Sequence, residues 1–369
     1  MSRKGENIYK RKDNRWEARY IKSYTENGQA RYGYIYAQSY KEARSRLDNA
    51  KTKLALGEPC GSICHRYFSV YCDEWLEVNR NRITESSYVK YSAVIEKHLK
   101  PSLGGIRTEA ISTEVISRFT DLLIYSKGLS SKTARDVLTI LGSILKYAKK
   151  RAAARMPDVE IIFPKCQKKE MRVLSRSEQE RFVEYLITDM DEYKFGILLA
   201  LITGLRIGEL CALRWENISF EERCIRIKST MQRLKDFDTY NTKVIISNPK
   251  SESSVRVIPL TDYAVSLCRR FCSADSRAFV LTGDSERFCE PRKMQYHFTK
   301  IVEQLGFFGV HFHSLRHTFA TRCVEVGFEI KSLSEILGHA SPKITLERYV
   351  HSSIELKRDN MQKLELVGF

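Results

Sequence analysis

Residues 313–321 read HSLRHTFAT. On a helix of 3.6 residues per turn, His313, Arg316, His317 and Ala320 cluster on one side, while Leu315, Phe319, Cys323 and Val326 share another. Gly327 is a natural stop. The spacing predicts a helix whose aliphatic stripe faces a core and whose three nitrogen-bearing side chains face a cleft. A zinc ion there would want cysteine or carboxylate support, and Arg316 would repel it, so an anion fits the trio better. No metal and no cofactor is expected.

Upstream, LITGLRIGELCALRW (201–215) follows the same logic. Thr203-Gly204 breaks one helix, and Arg206 begins the next with Ile207, Leu210 and Leu213 as its buried stripe. Glu209, three residues on, is placed to hold the Arg206 guanidinium. Downstream, SLSEILGHASPKITLERYV (332–350) predicts a helix ending at Gly338, with His339 exposed in the turn. Ser341-Pro342 then opens a helix as N-cap and first position, and Tyr349 rides on it.

A chain of 369 residues suggests two or three domains. Its 62 Lys+Arg against 45 Asp+Glu leave a net charge of +17, unevenly spread. Residues 1–60 carry 14 basic and 7 acidic side chains, 61–170 carry 19 and 12, and the remaining 199 carry 29 and 26. A polyanion is the natural partner of the first two segments; a basic surface kept for solubility is the alternative. The ten cysteines show no CxxC pair, and Cys60, Cys64 and His65 lack a distant partner set, so the thiols read as core residues of a reducing compartment. The apolar run Phe195 to Leu205 is too short to span a bilayer. A cytoplasmic protein with no membrane partner is expected.

Three domains are expected, over 1–60, 61–165 and 166–369. In the first, IYKRKDNRWEARYI (8–21) alternates around an Asp13-Asn14 turn and Asn27-Gly28 signals a second hairpin, giving a small three-stranded β-sheet. Ser39 with Glu42 caps a helix through about Leu56. Arg11, Arg15, Arg19 and Arg31 alternate with Trp16, Tyr20, Tyr32 and Tyr34, and such a ribbon suits a DNA major groove. The middle domain reads as all-α. Phe68, Tyr71, Trp75 and Leu76 line one helix, Thr84 caps another that ends before Pro101, Ser112 starts a third, and Ser130 or Ser131 a fourth. That last helix buries Val137, Leu138, Leu141, Ile144, Leu145 and Ala148, while Lys132, Arg135, Lys146, Lys149, Lys150 and Arg151 leave a basic exposed face. The third domain is mixed and mainly α, with strand-like RCIRIKS (223–229), TKVIISN (242–248) and SVRVIPL (254–260) making a small antiparallel sheet.

TGLRxxEL, HxLRHTFAT and LGHxS followed by RY, in this order, resemble the tyrosine recombinase (phage integrase) family. RWEARY (15–20) and the helical middle segment are similar to the arm-type and core-type DNA-binding domains of integrases from conjugative transposons. The resemblance implies a site-specific recombinase that integrates and excises a mobile element through a 3′-phosphotyrosyl intermediate. Arg206, His313, Arg316 and His339 would surround the scissile phosphate, with Glu209 and His317 in support and Tyr349 as nucleophile. His313 would accept the tyrosine proton and His339 donate to the phosphate. The family's lysine, which would protonate the departing 5′ oxygen, is offered by Lys250 in NPKSESSVRVIPL (248–260), with Lys243 a weaker candidate. Lys250 is expected at a hairpin tip between VIIS and VRVIPL. Arg11, Arg15, Arg19, Arg31, Lys132, Arg135, Lys149 and Arg151 are the candidate DNA contacts. Implied partners are double-stranded attachment sites and a homo-tetramer on DNA, and the resemblance leaves room for an excisionase or DNA-bending accessory factor. The C-terminal tail, with Ile354, Met361, Leu364 and Leu366, can dock on its own domain or on a neighbour. Alternatives are a type IB topoisomerase-like relaxing enzyme and a non-catalytic DNA-binding regulator.

Overall fold

The structure is a computed structural model and describes residues 7–24, 30–55, 66–151, 158–166, 171–235, 241–248, 252–349 and 361–362. Contacts group the chain into two compact units. One comprises Met1–Trp75, Lys97–Leu129 and Asp136–Phe163; the other comprises Leu76–Glu96, Ser130–Arg135 and Pro164–Phe369. Among the described residues no helix is long and apolar enough to cross a membrane.

In the first unit β1 (Ile8–Lys10), β2 (Trp16–Tyr24) and β3 (Ala30–Ala37) form an antiparallel sheet in the order β1-β2-β3. Asn14 takes φ +65° in the first turn, as the Asp-Asn signal requires. Asn27-Gly28 lies outside the described residues. The helix α1 (Tyr40–Ala55) covers one sheet face through Ala43, Leu47 and Ala50, which pack with Ile8, Ala18, Tyr20 and Ala37. The pairing puts Arg19 opposite Tyr34 and Tyr20 opposite Gly33. The expected basic–aromatic alternation is therefore split. Trp16 and Tyr20 turn inward, Trp16 packing edge-on against Tyr40, whereas Tyr9, Tyr32, Tyr34 and Tyr36 remain exposed. A period of two sends neighbours to opposite faces, so one run of alternating residues cannot make one ribbon surface.

The helices α2 (Phe68–Asn79), α3 (Glu85–Val94), α4 (Lys100–Leu103), α5 (Thr113–Asp121) and α6 (Ser131–Arg151) follow. Ser112 Oγ accepts from Val115 N and Ser130 Oγ from Thr133 N, so Ser130 is the cap of α6. All six residues of the expected α6 stripe are buried. The helix begun at Glu85 does not stop before Pro101. A wide π turn over Ile95–Leu99 joins α3 to α4, and Pro101 falls in the first turn of α4, where its missing N–H costs little.

The second unit has one main core built on α7 (Arg176–Ile187) and α8 (Glu192–Thr203). They are joined by α9 (Ile207–Ala212), α10 (Asp262–Phe271), α11 (Pro291–Gln304), α12 (Phe312–Glu325), α13 (Ile330–Leu337) and α14 (Pro342–Tyr349). Strands β4 (Ile218–Ser219), β5 (Cys224–Ile227) and β8 (Arg256–Pro259) make one antiparallel sheet in the order β4-β5-β8. A separate hairpin pairs β6 (Thr230–Lys235) with β7 (Thr242–Ser247). The expected hairpin between VIIS and VRVIPL is thus corrected: β7 pairs with β6 and β8 with β5, so the Lys250 segment links two sheets. The strand β6, with its central Gln232 and Arg233, lacks the apolar run that marks its partner.

The reading of α12 as amphipathic is also corrected. Val326 is 74% exposed, while Arg316, His317, Thr318 and Ala320 are all buried together with Leu315 and Cys323. Neighbours α8, α11, α13 and α14 all pack on this helix, so no side of it is left as a simple polar face.

Candidate active site

The site begins where helices end. Gly204 closes α8 at φ +68°, a left-handed position that suits glycine, and a Cβ there would lie 2.6 Å from the Phe319 ring. This close approach frees the Gly204 carbonyl to accept from Arg316 Nη1 at 2.9 Å. Arg206 is the N-cap of α9, and Glu209 folds back to cap it: Arg206 N donates to Glu209 Oε2 at 2.9 Å and Nη1 to Oε1 at 2.7 Å. Gly338 closes α13 at φ +62°. Its carbonyl accepts from Arg206 Nη2 at 3.2 Å, and the preceding Leu337 carbonyl accepts from Arg316 Nη2. Two arginines distant in sequence therefore converge on one helix end.

Tyr349 is buried, and its hydroxyl lies 2.8 Å from His317 Nδ1. His313 stands edge-on to His317, ring centroids 4.5 Å apart. His339 is half-buried in its turn instead of fully exposed. Its Nδ1 lies 2.8 Å from Thr345 Oγ1, and its ring is parallel to Tyr349 with centroids 6.2 Å apart. Arg206, Glu209, His313, Arg316, His317, His339 and Tyr349 thus meet in one cluster. The partner of the tyrosine hydroxyl is His317, although the sequence motif gives no reason to prefer it over His313.

The cluster is strongly electropositive. Burial alone would raise the Glu209 carboxyl, but Arg256 and then Arg206 more than offset that and hold it at about 2. Burial and then the charges of Arg206 and Arg256 draw Arg316 down to about 9, still protonated at neutral pH. Burial first and His313 next bring His317 down to about 4; burial and Arg316 bring His339 to about 3. His313 is lowered by the protein packed around its ring and by Arg316, although its edge reaches solvent. All three imidazoles are neutral at pH 7. Burial pushes the Tyr349 phenol up, while Arg316 and Arg348 pull it back.

Lys250 lies outside the described residues, as do Cys60, Cys64, His65 and most of the C-terminal tail, of which Met361 is exposed. Lys243 sits on β7 opposite Leu234 and pairs with Glu85 at 2.8 Å. Arg256 is the member of the cluster that the motifs did not mark. It occupies the inward register of β8, the same parity as Ile258, and a charge at such a position was the available signal.

Among the candidate DNA contacts, Arg11 bonds Glu17 at 2.5 Å and Arg15 bonds Asp13 at 2.7 Å. The guanidinium of Arg19 lies 3.5 Å from the centroid of the exposed Tyr32 ring. Arg31 is on β3, and its side chain is outside the description. Lys132 is exposed, Arg135 donates to the Pro164 carbonyl at 3.0 Å, Lys149 pairs with Asp158, and Arg151 stacks over Tyr147.

A model of the phage integrase family matches residues 172–355, and a phage integrase N-terminal SAM-like domain matches 67–124. Together they take in about two thirds of the chain, including every described member of the cluster. The chain belongs to the phage integrase family. It is an enzyme of the tyrosine recombinase class, which cuts and rejoins DNA strands. A tyrosine recombinase XerC-like protein of Caldanaerobacter subterraneus subsp. tengcongensis is 25% identical over 375 residues, covering 92% of this chain and 93% of the relative. A Tn1549 transposon integrase solved with transposon right end DNA matches with a TM-score of 0.69 at 21% identity, over 81% of this chain and 99% of its own. A lambda integrase tetramer bound to a Holliday junction matches with a TM-score of 0.57 at 15% identity, over 96% and 99%. At such identities the likeness of the integrase structures is one of fold.

Proposed function

We propose that the chain is the site-specific integrase of a mobile element, in which Tyr349 attacks a DNA phosphodiester held by Arg206 and Arg316. The observation that carries the reading is the meeting of two arginines bonded to one helix end with three histidines and a hydrogen-bonded tyrosine in a single cluster. Attack by the Tyr349 oxygen on phosphorus forms a 3′-phosphotyrosyl bond and releases the 5′ oxygen. Negative charge grows on the nonbridging oxygens during the step. Two preplaced guanidiniums stabilise that charge, and each contributes on the order of 10²–10³ in rate.

A tyrosine phenol with its ordinary pKa near 10 is almost fully protonated at neutral pH. We assign its proton to the His313–His317 pair, because His317 touches the hydroxyl and His313 abuts His317. His339, steadied by Thr345, donates to a nonbridging oxygen. Lys250 returns a proton to the 5′ oxygen. The phosphotyrosyl ester resembles the diester it replaces, so rejoining needs no ATP.

The proposed domains are 1–60 for arm-type DNA, 61–165 for core-site DNA and 166–369 for catalysis. The exposed tyrosines and Arg19 of the first sheet supply a basic aromatic face. Double-stranded attachment sites and assembly as a tetramer follow from strand exchange between two duplexes, and the lambda integrase tetramer on a Holliday junction is the structural analogue. An excisionase or DNA-bending factor would bias direction.

The test is Tyr349→Phe, which removes one oxygen. It should bind a nicked suicide duplex from the element's end as the wild type does, yet form no covalent adduct. A denaturation-resistant protein–DNA band from that variant would assign the nucleophile elsewhere.

A further inference from the structure

Arg256 has no part in the chemistry above, yet it is the most completely bonded arginine of the cluster. Its side chain is only 4% exposed. Nη1 and Nη2 fork onto Glu209 Oε1 and Oε2 at 2.9 and 2.8 Å, Nε donates to the Ile336 carbonyl at 2.6 Å, and Nη1 also reaches the Ser254 carbonyl at 3.2 Å. The three arginines form a comb. Arg256 takes the Ile336 carbonyl, Arg316 that of Leu337 and Arg206 that of Gly338, one each along the last turn of α13. Gly338 is packed against this comb so closely that a Cβ there would lie 2.9 Å from Arg256 Cδ.

The charges explain why a third arginine is useful. Glu209 is 3% exposed and bonds both Arg206 and Arg256. With Arg206 and Arg316 alone, Glu209 would leave the cluster one net positive charge; Arg256 makes it two. A phosphodiester carries one negative charge and its pentacoordinate transition state carries a second. The bidentate pair neutralises the carboxylate from its buried side. Arg206, 34% exposed, then keeps its charge for the outward direction while Glu209 fixes its orientation.

We infer that Arg256 is a positioning residue of the phosphate clamp, which holds Glu209 to the end of α13 and leaves Arg206 oriented and net positive toward the scissile phosphate. The inference rests on the reading that Arg206 and Arg316 hold a phosphodiester attacked by Tyr349. An arginine that only knits β8 to α9 would affect folding and nothing selective.

The discriminating experiment uses the full chain and nicked suicide duplexes from the element's end, carrying at the scissile position either the ordinary diester or a methylphosphonate. The methylphosphonate has one nonbridging oxygen replaced by methyl, so its transition state carries one negative charge fewer. Arg256→Met should bind DNA normally and cleave the diester about ten- to a hundredfold more slowly, by analogy with lost oxyanion donors. Its cleavage of the methylphosphonate should stay within about threefold of wild type. Removing one partner of a buried pair is destabilising, so Arg256→Lys, which keeps the charge, is measured beside it. Arg256→Lys should fall less on the diester and not at all on the methylphosphonate. The ratio of the two rates is insensitive to the fraction of folded protein. An equal fall on both substrates, or no fall on either, overturns the inference. A wild-type chain that cleaves neither duplex overturns the phosphate reading itself.

Discussion

Replacing Glu209 by glutamine should alter stability in a way that depends on acidity. The carboxyl is held at about 2 by Arg256 and Arg206, against an ordinary value of 4.5. A depressed carboxyl contributes stability that is fully present above 4.5 and is lost as pH falls toward 2. The difference of 2.5 units corresponds to about 3.4 kcal/mol, an order-of-magnitude figure. About 1 kcal/mol of it should go by pH 4 and about 2 kcal/mol by pH 3. In Glu209→Gln the two guanidiniums lose their carboxylate, so at pH 7 the variant should be less stable by about 3–5 kcal/mol. Urea unfolding followed by fluorescence reads this directly. Changing Trp16 and Trp75 to Phe leaves Trp215, buried in the main core, as sole reporter. Glu209 also raises His313 slightly against the lowering by burial and Arg316, so the comparison is repeated with His313→Ala in both proteins. The two stability curves should converge as pH falls from 5 to 3. Parallel curves would mean that the Glu209 carboxylate is not held by the arginines as described.

Lys250→Ala should cleave ordinary DNA about 10²–10⁴ more slowly while binding it normally. A bridging sulfur at the 5′ position, which needs little protonation to leave, should rescue Lys250→Ala and not Arg206→Ala. Unchanged cleavage by Lys250→Ala, or sulfur rescue confined to Lys243→Ala, would move the proton donor. In the full chain, Arg19→Ala removes the guanidinium over Tyr32 and should weaken arm-type DNA binding. It should also flatten the salt slope by about 0.9 log unit per log unit of salt, with core-site cleavage unaffected; an unchanged slope would exclude Arg19 as a phosphate contact.

Local chemistry made much of this molecule readable. Gly204 and Gly338 announce helix ends because a left-handed residue is needed there, and Ser112 and Ser130 announce starts through their hydroxyl caps. The seven clustered residues lie within three short motifs, two of which adjoin Gly204 and Gly338. What escaped depends on partners remote in sequence. Pairing of β7 with β6 instead of β8 is settled across the chain, and β6 carries Gln232 and Arg233 where an apolar run would have marked it. Pro101 reads as a helix stop unless a π turn precedes it. Arg256 looks like an ordinary strand charge until Glu209, 47 residues earlier, is found facing it. His317 and His313 are a single turn apart, so only packing decides which meets Tyr349.

The helix that carries Tyr349, the proposed nucleophile, is short, and Thr345 and Tyr349 are its only buried side chains. The Tyr349 ring is counted among a small apolar cluster with Ala320, Cys323, Leu333 and Leu337. The tyrosine proposed to react is therefore also a packing element, and its helix is anchored largely through it. Any outward swing of the ring must give up that contact, at about 2 kcal/mol for a side chain of this kind, which thins the outward population by a factor of about thirty. If Tyr349 is the nucleophile as proposed, duplexes that bring too few new contacts to offset that loss would meet a tyrosine still facing inward, and selectivity for the right DNA would begin with how its side chain is stored.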